Sequence, residues 1–415
     1  MKSDTIEKNT ELTIIAYASQ SGESQVLANS LAAALPEARL LSLNQLTPEV
    51  LQQTRLVLFI VSSYGEGEPP DNGLRFAHQW LDTAQSDVLS KLRFALLALG
   101  DSNYRYFCGF GMDLSEALQR QGATLITEVV TVDRLDSQAL LQWQTQLQGI
   151  GLIDGAVADF GEVPSAEPDF MARLTQRHLL NEGSPGDPLY LVRLEPSETV
   201  LWRAGDILQF MVPAGVEPEL REYSIACAWN AASALELLVR QVHKGDDSLG
   251  LGSGWLTDSL IVGETLSVRL RSNPAFHARE QGGPMILIGN GTGIAGLRAH
   301  LQAAADSGHW LVFGERSRAA DTLFEDEIQA WLDSGRLARL DRVFSREDET
   351  LRYVQDLLHA EIENLKDWLD RDASIYVCGS QQGMAPAVHR VLLDLLGEKG
   401  LEDLTLAGRY RRDIY

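Results

Sequence analysis

The chain has 415 residues, enough for two or three domains with separate cores, and its 45% hydrophobic and 22% charged content is ordinary for a globular protein. Against 35 basic side chains stand 58 acidic ones, a net charge of −23 that makes nucleic acid and anionic lipid poor partners and suits a partner with a basic docking face. Three scattered cysteines exclude a disulfide framework or structural zinc, and with no signal-peptide core and no membrane-length apolar run the expected location is cytoplasmic, without membrane insertion.

Along the chain, Leu12–Ala18 is a compact apolar run that predicts a buried strand. Gly22 breaks it, and Ser24–Leu35 has helical spacing of apolar residues. Arg55–Val61 and Phe94–Leu99 predict two more buried strands, and a helix is expected from about Met112 to Gln121. Buried strands alternating with helices imply a doubly wound parallel sheet covered on both faces. Ligands of such sheets bind beyond the carboxyl ends of the strands, where three loops leave.

The first loop is Ser19-Gln20-Ser21-Gly22-Glu23-Ser24. Hydroxyls and backbone N–H groups at a helix N-terminus make an anion site without Lys or Arg. Ordinary capping by Ser21 or Ser24 is the plainer reading of that loop alone. The second loop begins Ser62-Ser63-Tyr64-Gly65-Glu66-Gly67-Glu68-Pro69. The third is Leu99-Gly100-Asp101-Ser102-Asn103-Tyr104-Arg105-Tyr106-Phe107-Cys108. Each of these two sets an aromatic ring beside small residues, and two rings from separate loops could sandwich a planar group.

Together the three loops resemble the FMN-binding loops of flavodoxin-like domains in the diflavin reductase family, which includes cytochrome P450 reductase and the sulfite reductase flavoprotein. The resemblance implies that Ser19–Ser24 hold the FMN phosphate, with Ser62, Ser63 and Gly65 in the same site. It further implies that Tyr64 and Tyr104 flank the flavin ring, while Leu99, Gly100, Asp101, Asn103, Phe107 and Cys108 belong to the segment closing over it.

From Gly151 to Phe170 periodicity fails and Gly, Pro and acidic residues accumulate, predicting a linker. From about Ala172 to Ala275 short β-like runs recur: LYLVRLEP, ILQFMVP, REYSIACA, LELLVRQV and TLSVRLR. Turn residues between them suggest an antiparallel barrel. From Pro284 strand and helix alternate again, with MILIG, WLVFGE, LDRVFS and IYVCG as strands. The expected domains are a flavodoxin-like FMN domain at 10–150, a linker at 151–170, a β-barrel at 171–280 and a second α/β domain at 281–415.

Arg221-Glu222-Tyr223-Ser224 offers a cation, a stacking ring and a hydroxyl, or merely an edge strand with an exposed Arg. It resembles the Arg-x-Tyr-Ser FAD signature of ferredoxin–NADP reductase modules. Its usual companion follows as Gly250-Leu251-Gly252-Ser253, which in that family turns a helix N-terminus toward the FAD pyrophosphate. Gly289–Gly296, sequence GNGTGIAG, follows a predicted strand and opens a helix, a context that favours nucleotide phosphate. It resembles the family's Gly-Thr-Gly-Ile-Ala-Pro-Phe-Arg motif through Gly291, Thr292, Gly293 and Arg298, but Gly296 and Leu297 replace Pro and Phe.

Ser345, Arg346, Arg352, Tyr353 and Gln355 resemble the NADPH-selecting segments of the family; a Lys often stands where this chain has Leu351. A 2′-phosphate favours such hydroxyl and guanidinium donors. Glu315, at the end of a strand, is where an NAD-type carboxylate could sit instead. The family's Tyr-Val-Cys-Gly appears with Cys378, for which a buried structural role is the plainer reading. The ending RYRRDIY resembles the family's terminal Arg-Tyr-x-x-Asp-Val-aromatic. The resemblance makes Ser224, Cys378 and Asp413 the constellation for hydride transfer and Tyr415 the aromatic cover on FAD.

The family likeness thus implies a relay from NADPH through FAD and FMN to a haem or iron–sulfur protein, with sulfite reductase haemoprotein a reasonable acceptor. Members insert a helical connecting domain, for which the stretch from Gly151 to about Leu220 is too short. Two alternatives stay open: a stand-alone reductase of ferric chelates, quinones or oxygen, and an electron-carrier subunit active only in a complex. The eight histidines show no metal-ligand spacing.

Overall fold

The computed structural model describes residues 13–20, 22–63, 67–81, 88–102, 106–155, 169–213, 218–230, 234–245, 248–347, 350–380 and 383–415. The chain divides into two compact units, Met1–Ser165 and Ala166–Tyr415.

The first unit is built on a parallel sheet of β1 (Thr13–Ala18), β2 (Arg39–Ser42), β3 (Leu56–Ser62), β4 (Arg93–Gly100), β5 (Thr124–Leu125) and β6 (Val130–Asp133). Its order is β2-β1-β3-β4-β5, with β6 also on β4. Helices α1 (Glu23–Ala34), α2 (Pro48–Gln53), α3 (Leu74–Trp80), α4 (Gly109–Arg120) and α5 (Ser137–Gly149) connect the strands. Every residue of β3 is buried, since both faces of the sheet are covered. On one face Phe59, Phe76, Phe94 and Phe110 form the core; on the other Leu58, Leu97 and Trp143 do. Strand order reverses between β1 and β3, which opens a crevice at their carboxyl ends. Short, half-exposed β2 and the split pair β5 and β6 carry no apolar run that the sequence reading could catch.

The second unit begins with antiparallel β7 (Phe170–Leu179), β8 (Leu189–Pro196), β9 (Ile207–Val212), β10 (Glu219–Ser224), β11 (Leu235–Arg240) and β12 (Thr265–Arg271). They run in the order β10-β9-β12-β7-β8-β11. An antiparallel bridge between Ile225 and Leu237 joins the two ends of that path and closes a barrel. Strand β7 is not among the predicted runs: its buried Phe170, Ala172 and Leu174 alternate with exposed Met171 and Arg173 and with Thr175, so its apolar residues form no run longer than three. Between β11 and β12 lies the short helix α6 (Leu251–Gly254), continued by a π-helical turn at Trp255–Ser259.

The rest is a parallel sheet of β13 (Met285–Asn290), β14 (His309–Glu315), β15 (Leu337–Phe344), β16 (Ser374–Gly379) and β17 (Tyr410–Ile414), ordered β15-β14-β13-β16-β17. Helices α7 (Ile294–Ala303), α8 (Glu325–Asp333), α9 (Val354–Ala360), α10 (Ile362–Asp370) and α11 (Met384–Leu406) link them. Barrel and sheet share one core, in which Leu189, Ala226 and Leu238 meet Leu287, Leu297 and Tyr376. Among the described residues no helix is long and apolar enough to cross a membrane.

Candidate functional sites

In the first unit, Ser19 at the end of β1 organises the turn into α1. Its Oγ accepts from Gly22 N at 2.9 Å and Ser24 N at 3.2 Å, and Gly22 takes φ 95°, open to glycine at little cost. Ser24 is fully buried and its Oγ has no hydrogen-bond partner. A buried hydroxyl left so costs about 1–3 kcal/mol, and at a helix N-terminus it fits a phosphate oxygen. This observation makes the segment around Ser19, Gln20, Gly22, Glu23 and Ser24 suitable for the FMN phosphate. Asn72, which the sequence reading passed over, accepts from Ser19 N at 2.9 Å and so ties the first loop to the second.

Ser62 Oγ reaches Ala18 O at 3.3 Å, Ser63 N donates to Leu99 O at 2.9 Å, and Ser63 Oγ accepts from Phe110 N at 3.1 Å. The ends of β1, β3 and β4 are therefore fastened together. A side chain at Gly100 would lie 2.8 Å from Cys108 N and 3.1 Å from Phe107, because the third loop folds back on its own start. Cys108 is buried in the left-handed region (φ 54°), its Sγ 3.2 Å from Ala98 O, and burial pushes its thiol up to about 11. Leu99 is buried, while Asp101 lies 3.9 Å from Arg134. Ser21, Tyr64, Gly65, Asn103 and Tyr104 lie outside the described residues.

In the second unit, strand alternation puts Arg221 and Tyr223 on one face of β10. The Tyr223 ring stacks on Phe210 at 5.6 Å and 4°, and burial pushes its phenol up to about 12. Gly252 packs directly beneath them: a Cβ there would sit 2.8 Å from Arg221 Cγ and 3.2 Å from the Tyr223 hydroxyl. Two motifs some thirty residues apart thus form one surface, as a common FAD site requires. Ser253 Oγ accepts from Val242 N at 3.1 Å and faces Gly250 O at 3.4 Å, which fixes the start of α6 at Leu251. Arg221 pairs with Glu219 at 2.6 Å, and Glu222 pairs with Arg271 at 2.9 Å.

Ser224 Oγ donates to Asp413 Oδ2 at 2.7 Å, and Cys378 Sγ lies 3.8 Å from the same oxygen. The sheet dictates this meeting, since β16 and β17 run in a register that places Cys378 opposite Asp413. Burial raises the Asp413 carboxyl above its ordinary value, opposed by the Ser224 hydroxyl and the Arg271 charge. Burial and the neighbouring Asp413 hold the Cys378 thiol well above its ordinary value, so it is a neutral group and a poor nucleophile. The Tyr415 hydroxyl donates to Thr292 Oγ1 at 3.1 Å, with the residue half exposed.

The nucleotide loop between β13 and α7 is held tightly. A Cβ at Gly293 would lie 2.0 Å from Cys378 O, and Gly291 takes φ 55°. At Gly296 a Cβ would meet Phe276 at 3.1 Å and Cys378 Sγ at 3.3 Å, a narrow gap beside the thiol. Arg298 stands apart from this cradle. Its buried guanidinium binds Ala226 O at 2.7 Å, Glu236 and Glu327 at 2.6 Å each, and lies 4.4 Å over the Phe324 ring. It joins the barrel to α7 and α8, where the sequence reading expected a cofactor contact.

At the ends of β14 and β15, Ser345 N bonds Glu315 O at 2.8 Å and Arg346 N bonds Arg316 O at 3.0 Å. Arg346 is exposed, Arg352 reaches Ser345 O at 3.3 Å, Tyr353 is half exposed, and Gln355 Oε1 is buried without a partner. Adjacent guanidiniums and an unpartnered amide suit the adenosine end of NADPH. Glu315 is buried, receiving Arg240 Nη2 at 2.8 Å and Arg316 N at 3.1 Å. Arg240 was missed because its partner lies 75 residues away, a separation that leaves no local pattern.

Residues 15–144 match the flavodoxin family, and residues 287–390 match the oxidoreductase NAD-binding domain. The sulfite reductase [NADPH] flavoprotein alpha-component of Thiocapsa roseopersicina is 29% identical, across 100% of this chain and 90% of its own length. Its counterpart in Bacillus subtilis (strain 168) is 27% identical, across 98% of this chain and 89% of its own. That of Vibrio cholerae O395 is 26% identical, across 98% and 88%. The Bacillus alignment runs over 541 positions, so that relative carries a long stretch with no counterpart in these 415 residues. With a flavodoxin unit, an antiparallel barrel and an NAD-binding α/β domain in series, this chain is an NADPH flavoprotein oxidoreductase, similar along nearly its whole length to the flavoprotein components named above.

Proposed function

We propose that this protein is an NADPH-dependent reductase that carries electrons through FAD and then FMN to a one-electron protein acceptor in the cytoplasm. The observation that carries this reading is the convergence of Ser224, Cys378 and Asp413 on one carboxylate oxygen, from the barrel, β16 and β17 respectively. When bound, NADPH supplies two electrons together and paired flavins release them singly, which matches a two-electron donor to a haem or iron–sulfur acceptor.

In this reading Ser19, Gly22 and Ser24 bind the FMN phosphate, and the loops from Ser62 and Leu99 enclose its ring. Arg221, Tyr223 and the Gly250–Ser253 turn hold FAD. Ser224 orients Asp413, whose carboxyl shares its oxygen with the Cys378 thiol and can hold a proton in that buried place. Thr292 and Gly293 bind the nucleotide phosphates, and Ser345, Arg346 and Arg352 take the 2′-phosphate. Tyr415 covers the ring site beside Thr292. The acceptor we favour is a sulfite reductase haemoprotein, because the relatives are named as alpha-components of sulfite reductase. The acidic balance of −23 suits a basic face on that partner.

Anaerobic NADPH titration of the purified protein tests the relay. Bleaching of both flavins is expected; bleaching of one alone would make the chain a carrier subunit. Mixing the reduced protein with sulfite reductase haemoprotein tests the acceptor, with haem reduction that slows as salt is raised.

A further inference from the structure

The ion pair between Arg240 and Glu315 sits against the nucleotide loop. Arg240 ends β11 of the barrel, Glu315 ends β14, and a Cβ at Gly291 would lie 3.6 Å from Arg240 Nη2 and 3.9 Å from Glu315 Oε1. In a strand–loop–helix–strand nucleotide fold, an acidic side chain at the end of the second strand accepts from the ribose 2′-hydroxyl and repels a 2′-phosphate. Glu315 stands at that strand end, about twenty residues beyond the glycine loop. Its neighbours across the strand ends, Arg316, Ser345 and Arg346, are donors suited to the opposite choice.

We propose that Arg240 is a specificity-determining residue that masks Glu315, so that a strand end carrying an NADH-type carboxylate admits a 2′-phosphorylated nucleotide. The guanidinium is fixed at both ends: Nη2 on Glu315 at 2.8 Å and Nη1 on Asp187 O at 3.0 Å. The Glu315 side chain is only 3% exposed; the Arg240 guanidinium is the largest charge compensating it, the Arg316 N–H and the Arg316 charge add to that, and Asp321 adds repulsion. The cation that sets nucleotide choice therefore comes from the barrel, outside the nucleotide-binding domain.

The inference rests on the proposed NADPH site, and one set of binding measurements separates the two. Isothermal titration of NADP⁺ and NAD⁺ is carried out on the flavin-loaded wild-type protein, Arg240→Met, Glu315→Gln and the double variant. Wild-type protein should prefer NADP⁺; no preference would overturn the NADPH reading itself. Arg240→Met should lower the NADP⁺-to-NAD⁺ affinity ratio roughly tenfold or more. Glu315→Gln should hold the ratio, and the double variant should restore it. If Arg240→Met weakens both nucleotides equally, or if Glu315→Gln fails to rescue it, Arg240 does not act through Glu315 and the proposal falls. Because Arg240→Met leaves a buried carboxylate uncompensated, Arg240→Gln is measured beside it, with flavin content as the folding control. A ratio between wild type and Arg240→Met is expected, and an unchanged ratio in a folded Arg240→Gln would overturn the proposal.

Discussion

The two units prepare for anionic cofactors by opposite means. In the first, the described part of the loop after β1 offers hydroxyls, backbone N–H groups and one buried unpartnered Ser24, with no Lys or Arg from Ser19 to Ser24. In the second, three arginines in or beside the cofactor motifs are already paired with carboxylates: Arg221 with Glu219, Arg240 with Glu315, Arg298 with Glu236 and Glu327. A chain with 58 acidic side chains offers its arginines many carboxylates to pair with. A backbone anion site has no such competitor, so its sequence signature is easier to trust.

The hardest test of that contrast is Gly293→Ala, whose Cβ would sit 2.0 Å from Cys378 O. The nucleotide loop must move, and NADPH-driven reduction should fall about a hundredfold in stopped-flow while FMN content stays whole. Arg298→Met comes next. Removing one partner from a buried charge cluster should destabilise the second unit by about 3–5 kcal/mol in urea unfolding and leave the transition of the first unit in place. If stability held and NADP⁺ affinity dropped instead, Arg298 would be a cofactor ligand after all.

Ser24→Ala sharpens the other side of the comparison, with effects of opposite sign. The apoprotein should gain about 1 kcal/mol by losing a buried unpartnered hydroxyl, while the FMN dissociation constant rises about tenfold. Equal losses of stability and affinity would mean Ser24 is only structural. The smallest effect is at Asp413. Its folded pKa lies above the unfolded value, so its proton-linked stabilisation is full below the unfolded value and is lost as pH rises through the raised one. Asp413→Asn should flatten that slope in unfolding curves measured from roughly pH 4 to pH 7.

Glycines, hydroxyls and buried runs were legible because their meaning is local. Gly22, Gly252 and Gly293 each sit where a turn or a close contact demands glycine, and β3 reads as a strand from its seven apolar or small residues. Strand β7 was hidden by its charged outward face, and β2 by its brevity. The ion pairs of Arg298 and Arg240 have no signature in the sequence because the carboxylates that hold them are 29 to 75 residues away. No spacing rule reaches that far. The meeting of Cys378 with Asp413 was anticipated only through family likeness; its physical cause is the register between β16 and β17.

Gly252 has a consequence for how this protein can vary. Its missing side chain is the space filled by the Arg221 stem and the Tyr223 hydroxyl, so positions 221, 223 and 252 behave as one inherited piece. Chimeras between relatives that exchange β10 without the Gly250–Ser253 turn should fold around a mismatch, whereas exchanging both should be silent. Across homologues, any larger residue at 252 should travel with a shorter one at 221.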